Sequence, residues 1–500
     1  MQDVYGRSLL SLNRRRMLGY TAGAGLAAGF GGRLGVFAQE NPLGDASQWT
    51  PEYIESIAGS LEVDTAAECA KVVPLDYKGH VTYWYVGANE ASPPLQHEYE
   101  NKFFEAFSKT YSNITVEKLN LGYNDIFNKL RTAALGNAAP MVARLMLLWG
   151  VEFAAKGQLM EFGPEDVGHD PNDFWPGAVK STRWKGTTYG VPTNNETMAL
   201  IWNAGIFDEI GVDPEAPPAT WDDLVEYSHL IKEKTGKAGY GLVARVNAGN
   251  TPYRFMPMAW AYGGGALDEA EDDPAYDRVY INNDGTKAAL QACYDMYVRD
   301  KSAPASALTN TNDENMDPFI SNQLGMMISH PSSYAVLLDQ ASRTRGEDKK
   351  LADAVVENVR YGLIPQGPSR RAAVFGGWNA HMFKPEVVDG EMDVDAARAF
   401  IAFMTGPEWS VTLAWTASNP GNLRGFRTPW MKERLDTIRF LDVTTSMLPD
   451  GIPFPVIPES PEIMNIIVPE MMQNALTEKM TVSDAADHAA GQIEDLLTGL

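Results

Sequence analysis

The polar stretch Asn194-Asn-Glu196 lies between two apolar segments and carries groups that can bind a ligand or close a turn. Before it, Tyr189-Gly-Val-Pro192 ends in a proline, and after it Met198–Trp202 is an apolar run of strand length. Amide and carboxylate side chains at such a place can pair with backbone groups or with a bound molecule. The local pattern indicates an ordinary β-turn as readily as a binding site, so other segments must decide.

The sequence lacks the residue patterns of common hydrolytic and metal-dependent enzymes. It has no Gly-x-Ser-x-Gly motif, and His330 and His381 have no evident serine or cysteine partner. No two histidines have zinc-binding spacing, and Asn282-Asn-Asp-Gly285 lacks the later glutamate of a calcium loop. Acidic residues are numerous, so a carboxylate pair for glycoside hydrolysis stays open. We expect no catalytic residue, no metal and no cofactor, with an exported carbohydrate-active enzyme as the alternative.

Composition narrows the class of protein further. The formal charge of −24 disfavours nucleic acid as a partner. The chain has 12 Trp, 20 Tyr and 19 Phe, which favours a folded protein over acidic disorder. Five hundred residues at 44% hydrophobic content predict two large lobes or two to four domains. Cys69 and Cys293 permit one disulfide, although we expect two free buried thiols.

Residues 1–38 have the features of an export signal. Asn13-Arg-Arg-Arg-Met-Leu18 precedes an apolar run rich in Ala and Gly, and Ala38 supplies a small residue for cleavage. The paired arginines resemble a twin-arginine signal. Cleavage after Ala38 would remove five arginines and one aspartate and leave a formal charge of −28. The alternative is a cytosolic protein with a basic N-terminal helix.

Export predicts a soluble protein in the periplasm or another extracytoplasmic space, because no later stretch reaches the length of a membrane span. Residues 39–79 then form an N-terminal extension. Within it, Thr50 and Pro51 are typical of a helix N-cap and first helical position. We assign no function to this extension.

From His80 onward, strands and helices alternate. The pattern predicts a strand at His80–Gly87, a helix at Glu98–Thr110, a strand at Ile114–Leu119 and a helix at Tyr123–Leu135. This spacing is typical of a largely parallel sheet with covering helices. Such sheets bind ligands beyond the carboxyl ends of their strands, which places the loop after Gly87 and the Trp149 region near any site.

Seven segments, in order, carry a family resemblance. They are Ile114–Glu117 with Gly136-Asn-Ala-Ala-Pro140, Ala154-Ala-Lys-Gly-Gln-Leu159, Tyr189-Gly-Val-Pro192 with Ile201-Trp-Asn203, Pro218-Ala-Thr-Trp-Asp-Asp-Leu224, Phe319–Met327, Gly376-Gly-Trp378 and Phe400–Glu408. From Val81 to the C-terminus the chain resembles the extracellular solute-binding proteins of ABC importers, in particular sugar binders with the type II periplasmic-binding-protein fold. It departs from the family after Pro140, where Arg144 and Trp149 replace a run of small residues.

The resemblance implies a two-lobed α/β fold with mostly parallel sheets flanked by helices and a hinge between the lobes. Lobe I would comprise residues 80–193 and 378–425, and lobe II residues 194–377 and the C-terminal helical part, 426–500. The chain would cross between the lobes near Thr193–Glu196 and near Pro365–Trp378. The implied partners are a carbohydrate ligand and the permease subunits of an ABC transporter, with the binding protein itself a monomer.

A carbohydrate site needs flat aromatic faces for the sugar ring and amides, carboxylates or arginines for its hydroxyls. For each candidate the alternative is a solvated loop, a surface ion pair or core packing. Arginines would also suit an acidic group, so a polyol, a sugar acid or an amine stays open as the ligand. The candidate ligand-binding residues are Asn89, Glu90, Arg144, Trp149, Asn194, Asn195, Glu196, Trp260, Tyr334, Trp378, Asn379 and Arg424.

Overall fold

A computed structural model describes residues 48–499 of the chain, without 91, 93, 247–249, 269–277, 411 and 413–417 and without the side chains of Tyr123 and Asn124. The predicted export signal and the first part of the N-terminal extension therefore lie outside the described residues. Within the described part, no helix combines the length and the apolar character needed to cross a membrane.

Helices cover the faces of two sheets. In chain order they are α1 Pro51–Ile57, α2 Thr65–Cys69, α3 Pro94–Thr110, α4 Tyr123–Leu135, α5 Gly150–Ala155, α6 Pro176–Lys180, α7 Ala204–Ile210, α8 Trp221–Thr235, α9 Asn250–Ala261, α10 Asp284–Tyr294, α11 Asn312–Ile320, α12 Ser332–Arg343, α13 Gly346–Asn358, α14 Val394–Thr405, α15 Pro429–Thr437, α16 Leu441–Ser446, α17 Ser460–Glu462, α18 Val468–Leu476 and α19 Val482–Thr498.

The strands form a six-stranded sheet, a four-stranded sheet and two short ribbons. They are β1 Gly79–Tyr85, β2 Ile114–Asn120, β3 Val142–Met146, β4 Arg183–Trp184, β5 Thr187–Thr188, β6 Val191–Glu196, β7 Ala199–Asn203, β8 Ala238–Tyr240, β9 Leu324–Ser329, β10 Val359–Gly362, β11 Ala373–Val374, β12 Gly376–Met382, β13 Asn419–Pro420 and β14 Gly451–Ile452.

The larger sheet has the order β13-β6-β12-β3-β1-β2, and the smaller has the order β10-β7-β9-β8. Strand β1 runs parallel to β2 and β3, as the strand–helix alternation predicted. However, β12 is antiparallel to β3 and β6, and β7 is antiparallel to β9 and β10. The sheets are therefore mixed rather than mostly parallel. The reason is connectivity: β6 leaves the larger sheet at one edge and β12 re-enters at that same edge, so β12 must run back.

The two sheets meet where the chain passes from β6 to β7. Only Thr197 and Met198 separate Glu196, the last residue of β6, from Ala199, the first residue of β7. This short connection spans about 10 Å at most. The carboxyl ends of β1, β3 and β6 lie at this edge of the larger sheet, and the carboxyl ends of β9 and β10 lie at the facing edge of the smaller sheet.

Local signals explain several element boundaries. Thr50 accepts a hydrogen bond from Tyr53 N with Pro51 at the first helical position, as predicted. Thr220 and Asp223 form a capping box at the start of α8. The final helix is capped by Thr481, whose side chain accepts a hydrogen bond from Asp484 N. Both cysteines are free and buried, and burial raises the pKa of each thiol to about 12.

The N-terminal extension packs against the larger sheet's side of the molecule. Trp49 is buried, with its ring 4.8 Å from Trp175 and 5.1 Å from Phe426. Helix α15 lies on this side as well, because Trp430 packs edge-on against Tyr99 at 5.3 Å. Helix α15 therefore contacts α3, the helix that connects β1 to β2 of the larger sheet.

Candidate functional site

Arg144 organises the edge of the larger sheet where β1, β3 and β6 end. Its side chain is 2% exposed, and its Nη2 donates to Asn194 Oδ1 at 2.5 Å. Nε donates to Thr193 Oγ1 at 3.2 Å, and Nη1 donates to the Val86 carbonyl at 3.1 Å. The guanidinium thus links the ends of three strands with no carboxylate among these partners. We call Arg144, Thr193, Asn194, Trp149 and Trp378 the Arg144 cluster.

Aromatic rings line the same place. The Arg144 guanidinium lies 4.8 Å from the centre of the Trp378 ring, and Trp149 meets that ring edge-on at 5.9 Å. Phe127 stacks on Trp149 at 5.0 Å. Trp378 is half-buried, whereas Trp149 is buried. The cluster therefore combines a partly accessible indole with buried polar groups, which is the composition of small-molecule sites.

Glu196 ends β6 beside this cluster and accepts a hydrogen bond from Ser418 Oγ at 3.2 Å. Burial raises the pKa of its carboxyl, while the Ser418 hydrogen bond and the Arg144 charge oppose that rise. Contrary to the turn that the local sequence indicated, Asn194 to Glu196 belong to the strand itself. They pair with β12, where Trp378 opposes Asn194 and Gly376 opposes Glu196.

The loop after β1 is tied down by a buried carboxylate. Glu100 accepts hydrogen bonds from Tyr85 Oη and Ala88 N, each at 2.6 Å. Asn89 and Glu90 follow and are exposed, and the Asn89 carbonyl lies 2.9 Å from His97 Nε2. The loop thus starts next to Val86, whose carbonyl accepts a hydrogen bond from Arg144.

Asn195 and Asn379 have no exposed surface and face other parts of the fold. Asn195 Nδ2 donates to the Pro420 carbonyl at 3.3 Å, and Asn379 Nδ2 donates to Ser181 Oγ at 3.0 Å. Neighbours on a strand point to opposite faces, so Asn195 cannot share the face of Asn194. At Asn379 the register of β12 against β6 shifts by one residue, directly after Trp378.

The structure places three further candidates away from the Arg144 cluster. Trp260 is 1% exposed inside α9 and packs against Phe454, because the glycine turn begins only after the helix ends. Tyr334 lies in helix α12, not in a loop, and accepts from Arg439 Nη1 at 2.8 Å. Arg424 pairs with Glu68 of the N-terminal extension at 2.7 Å.

Sequence reasoning missed several residues that the site uses. Thr193 accepts a hydrogen bond from Arg144, and Glu100 fixes the loop after β1. Phe127 stacks on Trp149. The signal for Glu100 was a carboxylate on the apolar face of α3, between Tyr99 and Phe103. Phe127 gave no signal, because a phenylalanine at helical spacing is typical of core packing.

A second polar group lies at the facing edge of the smaller sheet. Arg254 on α9 donates to the Asn250 carbonyl at 3.3 Å and to Asn312 Oδ1 at 2.9 Å, and Ser329 Oγ donates to the same Asn312 oxygen at 3.1 Å. His330 follows Ser329 directly. We call Arg254, Asn250, Asn312, Ser329 and His330 the Arg254 cluster. The sequence signal for it was a lone arginine in an otherwise apolar helix.

Across the described residues, no group of three or more His, Cys, Asp or Glu side chains is arranged to hold a metal ion. Residues 93–411 match the family of bacterial extracellular solute-binding proteins. The chain belongs to this family. Its two sheets, joined by the short β6–β7 connection, are the two-lobed α/β architecture that the sequence resemblance implied, and the fold prediction is confirmed.

Known proteins resemble this family member over most of its length. A probable amino-acid ABC transporter periplasmic-binding protein of Sinorhizobium fredii is 22% identical over 395 residues, which cover 77% of this chain and 83% of that protein. The GacH receptor of Streptomyces glaucescens, solved unliganded and with acarbose, has a TM-score of 0.64 at 23% identity, covering 85% of this chain and 99% of that one. The cyclic alpha-maltosyl-1,6-maltose binding protein of Arthrobacter globiformis has a TM-score of 0.67 at 19% identity, covering 85% and 100%.

His381 is a buried histidine from which we predict that the protein loses stability in acid. Its Nδ1 donates to the Tyr189 carbonyl at 2.8 Å, and burial lowers its pKa from 6.5 to about 4. Below pH 6.5 the His381 imidazole therefore binds a proton in the unfolded chain, whereas in the folded chain it stays neutral until the pH approaches 4. The contribution of neutral His381 to the free energy of unfolding is fully present above pH 6.5, and it is lost as the pH falls toward 4.

We expect His381→Asn, whose amide can still donate to Tyr189, to flatten the dependence of unfolding free energy on pH. Between pH 6.5 and 5 the slope should fall by about 1 kcal/mol per pH unit, because a difference of one whole proton corresponds to about 1.4 kcal/mol per pH unit and the unfolded imidazole is only half-protonated at pH 6.5. Urea unfolding at several pH values measures it, with His97→Asn on the exposed face of α3 as the control. Equal slopes for His381→Asn and the wild type would show that His381 titrates in the folded protein as it does in the unfolded chain.

Proposed function

We propose that the protein is the extracytoplasmic binding component of an ABC importer and that it captures a carbohydrate between its two lobes. The observation that carries this proposal is the Arg144 cluster. A half-buried indole, a buried guanidinium and an amide converge at the carboxyl ends of three strands, beside the connection to the second sheet. An indole face suits the apolar side of a sugar ring, and the polar groups suit its hydroxyls.

The comparisons support a saccharide over other solutes. GacH was solved with acarbose, and the Arthrobacter globiformis protein binds a cyclic maltosyl-maltose, so two proteins with this fold accept oligosaccharides. The Sinorhizobium fredii relative is described as an amino-acid binder, which makes amino acids the main competing ligand class. We assign no catalytic step to this protein.

We extend the proposal to the division of the chain into lobes and to the export of the protein. Lobe I comprises the larger sheet together with α15, and lobe II comprises the smaller sheet, with crossings at Thr197–Met198 and between β10 and β12. Residues 1–38 act as a twin-arginine signal, and the mature protein works as a monomer in the periplasm or an equivalent space. Surfaces of both lobes dock on the permease once the lobes have closed on the ligand.

A thermal-shift screen tests the ligand class. We expect one or two saccharides from a panel of mono- and oligosaccharides to stabilise the mature protein, because a ligand bound only by the folded state adds about 2.7 kcal/mol at 100 times its dissociation constant. The same panel includes the common amino acids. Stabilisation by amino acids alone would contradict the carbohydrate assignment, and release of cleaved sugar would establish an enzyme instead.

A further inference from the structure

Arg254 is a buried cation with an unused donor. Its side chain is 5% exposed, and its Nη atoms donate only to a backbone carbonyl and to an amide oxygen. Its Nε has no partner, and among the described residues no carboxylate forms an ion pair with it. Burial lowers the pKa of Arg254 to about 10, so the guanidinium stays charged at neutral pH. A buried charge is normally balanced by a carboxylate or by a bound anion.

His330 supplies a second unused group at the same place. Its Nδ1 is buried and has no partner. Burial, aided by the nearby Arg254 charge, lowers the pKa of His330 to about 3, so the ring is neutral at pH 7. A neutral imidazole carries one N–H, which Nδ1 can donate to an acceptor oxygen. Arg254 Nε and, in the tautomer that carries the proton on Nδ1, His330 are therefore two buried groups without acceptors, and the Arg254 charge is close enough to act on the His330 ring.

The position of the Arg254 cluster fits contact with a solute. Asn250 and Asn312, which accept hydrogen bonds from Arg254, are half-buried, and so is His330. Ser329 opposes Ala199 in the sheet register, and Ala199 is the first residue after the connection from β6. The cluster is therefore at the edge of the smaller sheet that faces the larger sheet.

We propose that the Arg254 cluster binds the acidic group, a carboxylate or a phosphate, of an acidic saccharide. This inference rests on the proposed carbohydrate function and narrows its ligand to a charged class. An oxyanion would accept hydrogen bonds from Arg254 Nε and His330 Nδ1 at once, and such charge-assisted bonds are the strong ones. The formal charge of −24 repels anions at long range, so recognition depends on this local pair of donors.

Paired ligands test the proposal with the mature protein. Glucose, galactose and maltose are each compared by calorimetry with an acidic counterpart, namely glucuronate, galacturonate and maltose 1-phosphate, and sodium phosphate is titrated alone. We expect at least one acidic sugar to bind ten times more tightly than its neutral counterpart. Arg254→Met should remove this preference and leave the affinity for the neutral sugar within about twofold, which is less than 0.5 kcal/mol.

Two further variants keep the test decisive. Arg245→Met removes an exposed arginine that pairs with Glu314 at 3.8 Å, so it controls for loss of positive charge near α11. It should leave the acid preference intact. If Arg254→Met fails to fold, His330→Ala is tested in its place. Loss of the Nδ1 donor should lower the preference for the acidic sugar over its neutral counterpart several-fold.

Each remaining outcome would overturn the assignment. Equal affinity for the members of every pair, or an equal loss of both in Arg254→Met, would make Arg254 a purely structural link between α9 and α11. Strong binding of phosphate alone, with no preference among the sugars, would make the cluster a site for a free anion. If no sugar of either kind binds, the carbohydrate function itself fails, which is a distinct result from equal binding.

Discussion

Replacing Trp378 with alanine is expected to weaken saccharide binding roughly 30-fold. A half-buried indole that covers about 80 Å² of sugar and ring surface contributes about 2 kcal/mol to binding, and 1.4 kcal/mol is a factor of ten in the dissociation constant. The variant also loses the packing of Trp378 against Arg144 and Trp149. Calorimetry with the sugar found in the thermal-shift screen measures the affinity, and circular dichroism confirms that the variant is folded.

The matched control is Trp184→Ala. Trp184 is also half-buried, but it lies on the short β4–β5 ribbon, with Lys185 over its ring at 5.3 Å. Its removal should change affinity by less than twofold. An equal loss of affinity in both variants would mean that the effect of Trp378→Ala comes from general destabilisation rather than from contact with the sugar.

Gly377→Ala is expected to lower the free energy of unfolding by about 4 kcal/mol. Gly377 has a φ of 139°, a backbone conformation that alanine adopts only with strain. A Cβ there would overlap the carbonyl oxygen of Asn194 and lie 3.0 Å from Asn195 Cα, and both are backbone atoms that cannot rotate away. The substitution would force β6 and β12 apart at the Arg144 cluster, so ligand binding should fall with stability.

Two control substitutions distinguish backbone strain at Gly377 from steric overlap of the new Cβ. Gly186→Ala tests the backbone conformation alone, because Gly186 has a φ of 81° and a Cβ there would meet nothing within 4 Å. Gly376→Ala tests contact alone, since its Cβ would lie 2.9 Å from Glu196 Cγ, which belongs to a flexible side chain. Urea denaturation should rank Gly377→Ala as the most destabilised of the three. A cost for Gly377→Ala no larger than that of Gly186→Ala would contradict the close approach of β6 and β12.

Periodicity and capping residues predicted a helix or strand well where the local sequence of that segment determines its conformation. Helix α4 begins at Tyr123 and ends at Leu135 as its apolar spacing indicated, and Thr50 caps α1 as predicted. Strand β7 was recognisable from its continuous apolar run, which is typical of a strand buried on both faces. The fold itself was implied by the resemblance of seven ordered motifs to the solute-binding family.

The pairing of distant segments could not be predicted locally. The local sequence left Asn194 to Glu196 open as a turn or a binding site, because strand formation there depends on β12, which follows almost 180 residues later. Trp260 and Arg424 were candidates as well, but their contacts are made with Phe454 and Glu68, far away in the sequence. Arg144 and Trp378 were both candidates, but only the register of β3 against β12 brings them together.

The most direct test of the proposed function is native mass spectrometry of the protein isolated from its own host. We predict an intact complex with one carbohydrate per chain, identified after release by its fragmentation, and loss of that mass in Trp378→Ala but not in Trp184→Ala. A copurifying solute without a sugar ring, or a bound sugar that both variants retain equally, would contradict the assignment of the Arg144 cluster as a carbohydrate site.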